Sequence, residues 1–196
     1  MSYLHLDTAR LVRAEATDLL RTMGIEAQLA RYGVVNLIGS YAYDVMVARD
    51  IDFHVIVRGF DVRLAKQFFD YAVDSEKFEY ISFHDKHHFN EQAAERYPSK
   101  WALDSYYFGL RTHYQGHEWQ IGVNFITQPQ EASVEIGHLF ETVTDAQRER
   151  IVDFKTRLQT LGIKVSSAYV YRAVIQKDIA DFDRLLVYLR GLGYIF

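Results

Sequence analysis

The chain has 196 residues, enough for one substantial core or two small lobes, with the 49% hydrophobic and 24% charged balance of a folded globular protein. A formal charge of −4 with no long Lys/Arg block argues against a general nucleic-acid surface, and the lack of cysteine excludes disulfides and thiolate metal sites. No apolar run nears the ~20 residues of a membrane span, and a start carrying Asp7, Arg10 and Arg13 is not a secretory leader, so a cytoplasmic protein without a membrane partner is expected.

From the N-terminus, Leu11, Val12, Ala16, Leu19, Leu20 and Met23 recur at helical spacing and predict a helix over 8–23, stopped at Gly24. A shorter helical piece over 25–32 follows. Apolar β-rich runs predict strands at 34–38 and 51–57, joined by a connection holding a short helix. Leu64, Phe68, Tyr71 and Ala72 predict a helix over 60–73, and alternation over 77–84 predicts a half-buried strand. Residues 85–101 are polar and read as a loop or short helix. Two strands at 102–114 and 118–127 meet at Gln115-Gly116, a hairpin signal. Beyond Pro129 the pattern turns helical: a capping box at Thr144–Gln147 opens a helix to Leu161 with Ile151, Phe154, Leu158 and Leu161 as its stripe, and helices over 166–176 and 181–190 follow. The expectation is an α+β protein, with a mixed sheet and an α/β core over 1–130 and a helical C-terminal region over 131–196 packed on it.

The chemistry concentrates in one stretch. An apolar strand ends at Gly39-Ser40, nine residues intervene, and Asp50-Ile51-Asp52 opens the next strand. Residues i and i+2 of a strand share a face, so the two carboxylates stand side by side, a donor set suited to Mg²⁺ and a triphosphate. Asp-x-Asp alone also marks turns and solvated strand ends. The full combination of strand, Gly-Ser, short connection and paired acids is far rarer.

That combination resembles the nucleotidyltransferase superfamily, with the DNA polymerase beta-like fold. Ile38-Gly39-Ser40, the spacer, and Asp50-Ile51-Asp52-Phe53 match each element of its signature, and Tyr97-Pro98, Glu118-Trp119 and the Tyr169–Val174 segment look like small bacterial members. The resemblance implies that Gly39 and Ser40 hold the nucleotide's phosphates and that Asp50 and Asp52 bind Mg²⁺ or Mn²⁺ as catalytic acids. It also implies that a third acid on a later strand helps activate an acceptor hydroxyl. The NTP would be the donor, and a small molecule or protein the acceptor.

The later strand departs from the pattern. In Trp119-Gln-Ile121-Gly122-Val123-Asn124, glycine stands where the third acid belongs. Alternation puts Glu118, Gln120, Gly122 and Asn124 on one face. Asn124 is ~6.6 Å along the strand and offers a neutral oxygen as a secondary contact; Glu118, ~13 Å the other way, is too distant to substitute. Losing a general base costs about 10²–10⁴-fold in rate. Three readings stand: a Mg²⁺-dependent nucleotidyltransferase, of full or weakened activity; an inactive relative that binds nucleotide or a protein partner as a regulator; and a metal-dependent phosphohydrolase.

The remaining candidates have structural alternatives beside them. His54 shares a face with Asp50 and Asp52 but reads first as a histidine satisfied inside the sheet. His84, His87 and His88 with Asp85 could bind a metal, but read first as a solvated loop. Arg49 pairs with an acid or a phosphate. Tyr41 and Tyr43 are candidates to stack on a base. The helical tail reads as packing surface, with a lid over the nucleotide or a homodimer face as functional alternatives.

Overall fold

The computed structural model describes residues 4–87 and 104–196. His88 and the Tyr97-Pro98 pair lie outside the described residues. The helices and strands run α1 (Leu4–Met23), α2 (Ile25–Leu29), β1 (Val34–Ile38), α3 (Gly39–Ala42), β2 (Asp50–Ile56), α4 (Val62–Asp74), β3 (Tyr80–Asp85), β4 (Tyr106–Tyr114) and β5 (His117–Ile126). Four helices follow: α5 (Glu131–Phe140), α6 (Asp145–Thr160), α7 (Ser167–Ile175) and α8 (Phe182–Gly191). The chain is thus α+β, with a mixed sheet and a helical C-terminal tail. No described helix is long and apolar enough to cross a membrane. The described chain clusters into two compact units, one of residues 15–38 and 49–130 and one of residues 1–14, 39–48 and 131–196.

The first unit is built on a five-stranded sheet in the order β1-β2-β5-β4-β3. β2 and β5 pair in parallel and every other pair is antiparallel. Alternation sorts the side chains between two faces. Ile51, Phe53, Val55, Phe108, Ile121, Val123 and Phe125 are buried on one. α4 covers that face: Phe68 meets Phe108 edge-on at 4.8 Å and Phe125 at 5.3 Å, and Tyr32 lies edge-on to both Phe68 and Phe125. Asp61 caps α4 through its side chain, which accepts from the Arg63 amide. The β4–β5 turn has positive φ at both Gln115 and Gly116, the primed geometry that matches strand twist.

The second unit is helical. Thr144 and Gln147 form the expected capping box of α6. Ile151, Phe154 and Leu158 bury one side of α6, while Val170, Tyr171, Ala173 and Val174 of α7 and Phe182, Leu185 and Leu189 of α8 are buried as well. Helix α5 is unforeseen. Its buried positions are only Ile136 and Phe140, with Gly137 between them, too short a stripe to register as a helix. Two expected core residues are solvent-facing instead: Leu11 is 66% and Leu161 59% exposed. Leu161 has already passed into the C-cap of α6, where the stripe ends.

Phe68, fully buried at the centre of the aromatic cluster, sets the stability of the sheet unit. Phe68→Ala is expected to cost about 3–5 kcal/mol in denaturant unfolding, whereas Leu11→Ala stays within about 0.5 kcal/mol.

Candidate functional site

The face of the sheet opposite α4 carries the chemistry. In strand register, Asp52 lies beside Gly122, Gly122 beside Gly109, and Gly109 beside Ser82. The row on one side of this runs Asp50, Gln120, Arg111, Tyr80; on the other it runs His54, Asn124, Tyr107, His84. Asp50 is exposed and Asp52 partly so, at the start of β2, on one face as the i, i+2 spacing requires. Two adjacent carboxylates reachable from water fit one hard divalent cation whose remaining positions are filled by water or phosphate oxygens. Among the described residues no group of three or more His, Cys, Asp or Glu side chains could hold a metal.

Gly122 shapes the centre of this face. A Cβ placed on it would sit 2.5 Å from Asp52 Oδ1, so the carboxylate occupies the space that a side chain at 122 would need. The Tyr107 ring lies across both glycines, its hydroxyl 3.6 Å from the Cβ position of Gly122 and 3.4 Å from that of Gly109. Burial, and then the charges of Asp52 and Asp50, raise the Tyr107 phenol above its usual pKa, so it stays a hydrogen-bond donor at neutral pH. Lys86 places its ammonium 4.4 Å over the Tyr107 ring, and Arg111 stacks its guanidinium on Tyr80 at 5.1 Å. Burial lowers the Lys86 pKa.

The other residues singled out in the sheet unit find defined places. Asn124 is buried, and its Oδ1 accepts from Ser105 Oγ at 3.3 Å; the amide keeps a second lone pair and two donors. His54 is 4% exposed, an interior histidine of the sheet rather than a surface ligand. Arg49 pairs with Glu15, the acid of its two expected partners, at 2.8 Å and lies over Trp119. His87 bonds Asp104 through Nδ1 at 2.7 Å and stacks on Phe60, while His84 turns toward Tyr107.

In the helical unit, β1's chain continues into Gly39, whose φ of 70° is the left-handed geometry that glycine adopts freely, and then into α3. Ser40 Oγ accepts from Lys155 Nζ at 2.7 Å and lies 3.4 Å from the Tyr171 hydroxyl. Lys155 is 8% exposed; its ammonium also donates to the Val45 carbonyl at 2.8 Å and faces the Tyr171 ring at 5.7 Å. Tyr43 stacks on Phe140 at 4.2 Å, which makes it a packing residue, and Tyr41 lies under Arg13. Lys155 escaped the sequence reading although a signal existed: a lysine occupying a stripe position of α6 among Ile151, Phe154 and Leu158.

No protein-family model matches this chain. No curated protein matches it either. Among solved structures, the chain is similar to a crystal structure of Cid1 poly(U) polymerase, a mutant bound to MgATP, with TM-score 0.55 and 15% identity over 81% of this chain and 48% of that one. It is also similar to the non-canonical poly(A) polymerase complex GLD-2–GLD-3, with TM-score 0.54 and 10% identity over 89% of this chain and 58% of that one. The chain therefore spans about half the length of these neighbours. The likeness is one of fold: the chain has the nucleotidyltransferase-type, polymerase beta-like fold.

Burial lowers the pKa of His54 from 6.5 to about 4. Between these values the unfolded chain binds the extra proton, so stability is full above pH 6.5 and falls as the pH drops toward 4, by on the order of 3 kcal/mol. Urea unfolding across this range is expected to show that slope, and His54→Gln to flatten it.

Proposed function

We propose that this chain is a divalent-cation-dependent nucleotidyltransferase that moves a nucleoside monophosphate from an NTP to an acceptor oxygen. The observation that carries the reading is the pair Asp50 and Asp52, adjacent on the open sheet face of a nucleotidyltransferase-type fold. These carboxylates would hold Mg²⁺ or Mn²⁺; the bound ion would supply charge neutralisation at the transferring phosphoryl group. Taken by itself, the helical unit offers Gly39, Ser40 and the buried Lys155 ammonium to a phosphate, with Lys155 giving up its Ser40 bond for a stronger, charge-assisted one. Asn124 serves as the secondary polar contact on the sheet face. Gly122 also favours a second reading, in which the chain binds nucleotide and turns it over slowly or not at all, as a regulator.

Calorimetry with a non-hydrolysable ATP analogue and Mg²⁺, beside a pyrophosphate-release assay, separates these readings. Binding with pyrophosphate release supports the transferase; binding alone supports the regulator; release of inorganic phosphate from ATP would show hydrolysis. Asp50→Asn with Asp52→Asn is expected to abolish cation-dependent binding, and unchanged binding would contradict the assignment. Lys155→Met is expected to weaken nucleotide affinity at least ~10-fold and to lower stability by about 1–3 kcal/mol, because the buried Val45 carbonyl loses its donor; unchanged affinity would remove Lys155 from the proposal.

A further inference from the structure

Chemistry at the sheet face is asymmetric. On the β2 side stand two carboxylates; on the β3–β4 side stand Lys86, Arg111 and the phenol of Tyr107. Between them the floor is glycine, at 122 and 109, where no carboxylate stands, and His84 lies in the next row beside Tyr107. An alcohol, with a pKa of about 15, must lose a proton as it attacks, and a metal without a base removes it less well than the two together. An oxyanion arrives deprotonated, so the missing third carboxylate costs it nothing, and it is attracted by cations.

We propose that the acceptor is an oxyanion, a phosphate monoester or carboxylate, received on the β3–β4 half of the sheet face by Tyr107, Lys86 and Arg111. The inference rests on the nucleotidyl-transfer reading and replaces its expected hydroxyl by an anionic oxygen. Its geometry is that of the rows: Tyr107 lies over the glycine floor next to Asp52 with its hydroxyl within 3.6 Å of the Cβ positions of both glycines, and Lys86 lies against its ring. Arg111 belongs to the row of Asp50, two residues beyond Gly109 on the same face of β4. Tyr107 donates a hydrogen bond to the acceptor oxygen and orients it, while the two cations offset its charge. The acceptor oxygen forms a new bond to the α-phosphorus, the bond from that phosphorus to the bridging oxygen breaks, and pyrophosphate leaves with the electron pair. A phosphate monoester yields a nucleoside diphosphate ester and a carboxylate an acyl nucleotide; no proton is removed from the acceptor and nothing is oxidised or reduced.

The test measures pyrophosphate release by the full chain with ATP and Mg²⁺ and three sets of acceptors. The first is glycerol 3-phosphate and glucose 1-phosphate, the second acetate and glutamate, and the third glycerol and glucose. An anionic set is expected to exceed the neutral set at least tenfold, and the first two arms identify which oxyanion is used. Lys86→Gln and Arg111→Gln are expected to raise the KM for the anionic acceptor about tenfold while leaving binding of the ATP analogue unchanged. Gly122→Asp, which supplies a carboxylate and makes Asp52 shift, is expected to help glycerol and glucose and not the anions. Equal rates for anionic and neutral sets, release with none of them from a chain that binds ATP, or an unchanged KM in both cation variants would overturn the oxyanion assignment. Failure to bind the ATP analogue at all would instead overturn the transfer reading beneath it.

Discussion

The parallel pairing of β2 with β5 lies at the middle of the sheet and determines which side chains can meet on its open face. Because both strands run the same way, Asp52 lies beside Gly122 and His54 beside Asn124, and a slip of one residue would turn both carboxylates into the aromatic layer under α4. That slip is opposed by Phe53, Val55, Val123 and Phe125, all fully buried on the other face. The hydrophobic core thus holds the register, and the register holds the acids. Stability and chemistry share the same strands but use opposite faces of them.

Within the sheet unit, Gly122 has two consequences that pull together. It puts no carboxylate beside Asp52, and it leaves the space into which Asp52 Oδ1 leans. The charge of the face is then negative on β2 and positive on β3–β4, with a neutral phenol between. Within the helical unit the corresponding feature is a buried ammonium. Lys155 is tolerated because Ser40 Oγ, the Val45 carbonyl and the Tyr171 ring replace its water. A cation so held is already oriented, its ordering entropy spent in folding.

Much of the fold was legible because its signals are local. The alternation in β2 and β5, the Gln115-Gly116 turn and the Thr144–Gln147 capping box each depend on a few neighbouring residues, and all appear in the structure. Fold likeness to the two polymerases agrees with the nucleotidyltransferase-like α+β fold expected from the sequence. What stayed hidden depends on tertiary packing. Helix α5 has a two-residue stripe interrupted by Gly137, and Leu11 is apolar yet faces water. Tyr107 and Lys155 acquire their interest only from partners distant in the chain, the glycines and carboxylates for one and Ser40 for the other. Period and spacing place a residue on a face; they do not say what lies across from it.

The central claim is that a divalent cation binds at Asp50 and Asp52, on the face where Gly122 stands. Paramagnetic broadening by Mn²⁺ tests it directly, because the effect falls steeply with distance and is read residue by residue from backbone amide signals. In a substoichiometric titration, the signals of Ile51, Asp52, Ile121 and Gly122 are expected to vanish first, and the loss to disappear in Asp50→Asn with Asp52→Asn. Broadening centred on His84 and His87, or none at these four amides, would contradict the account.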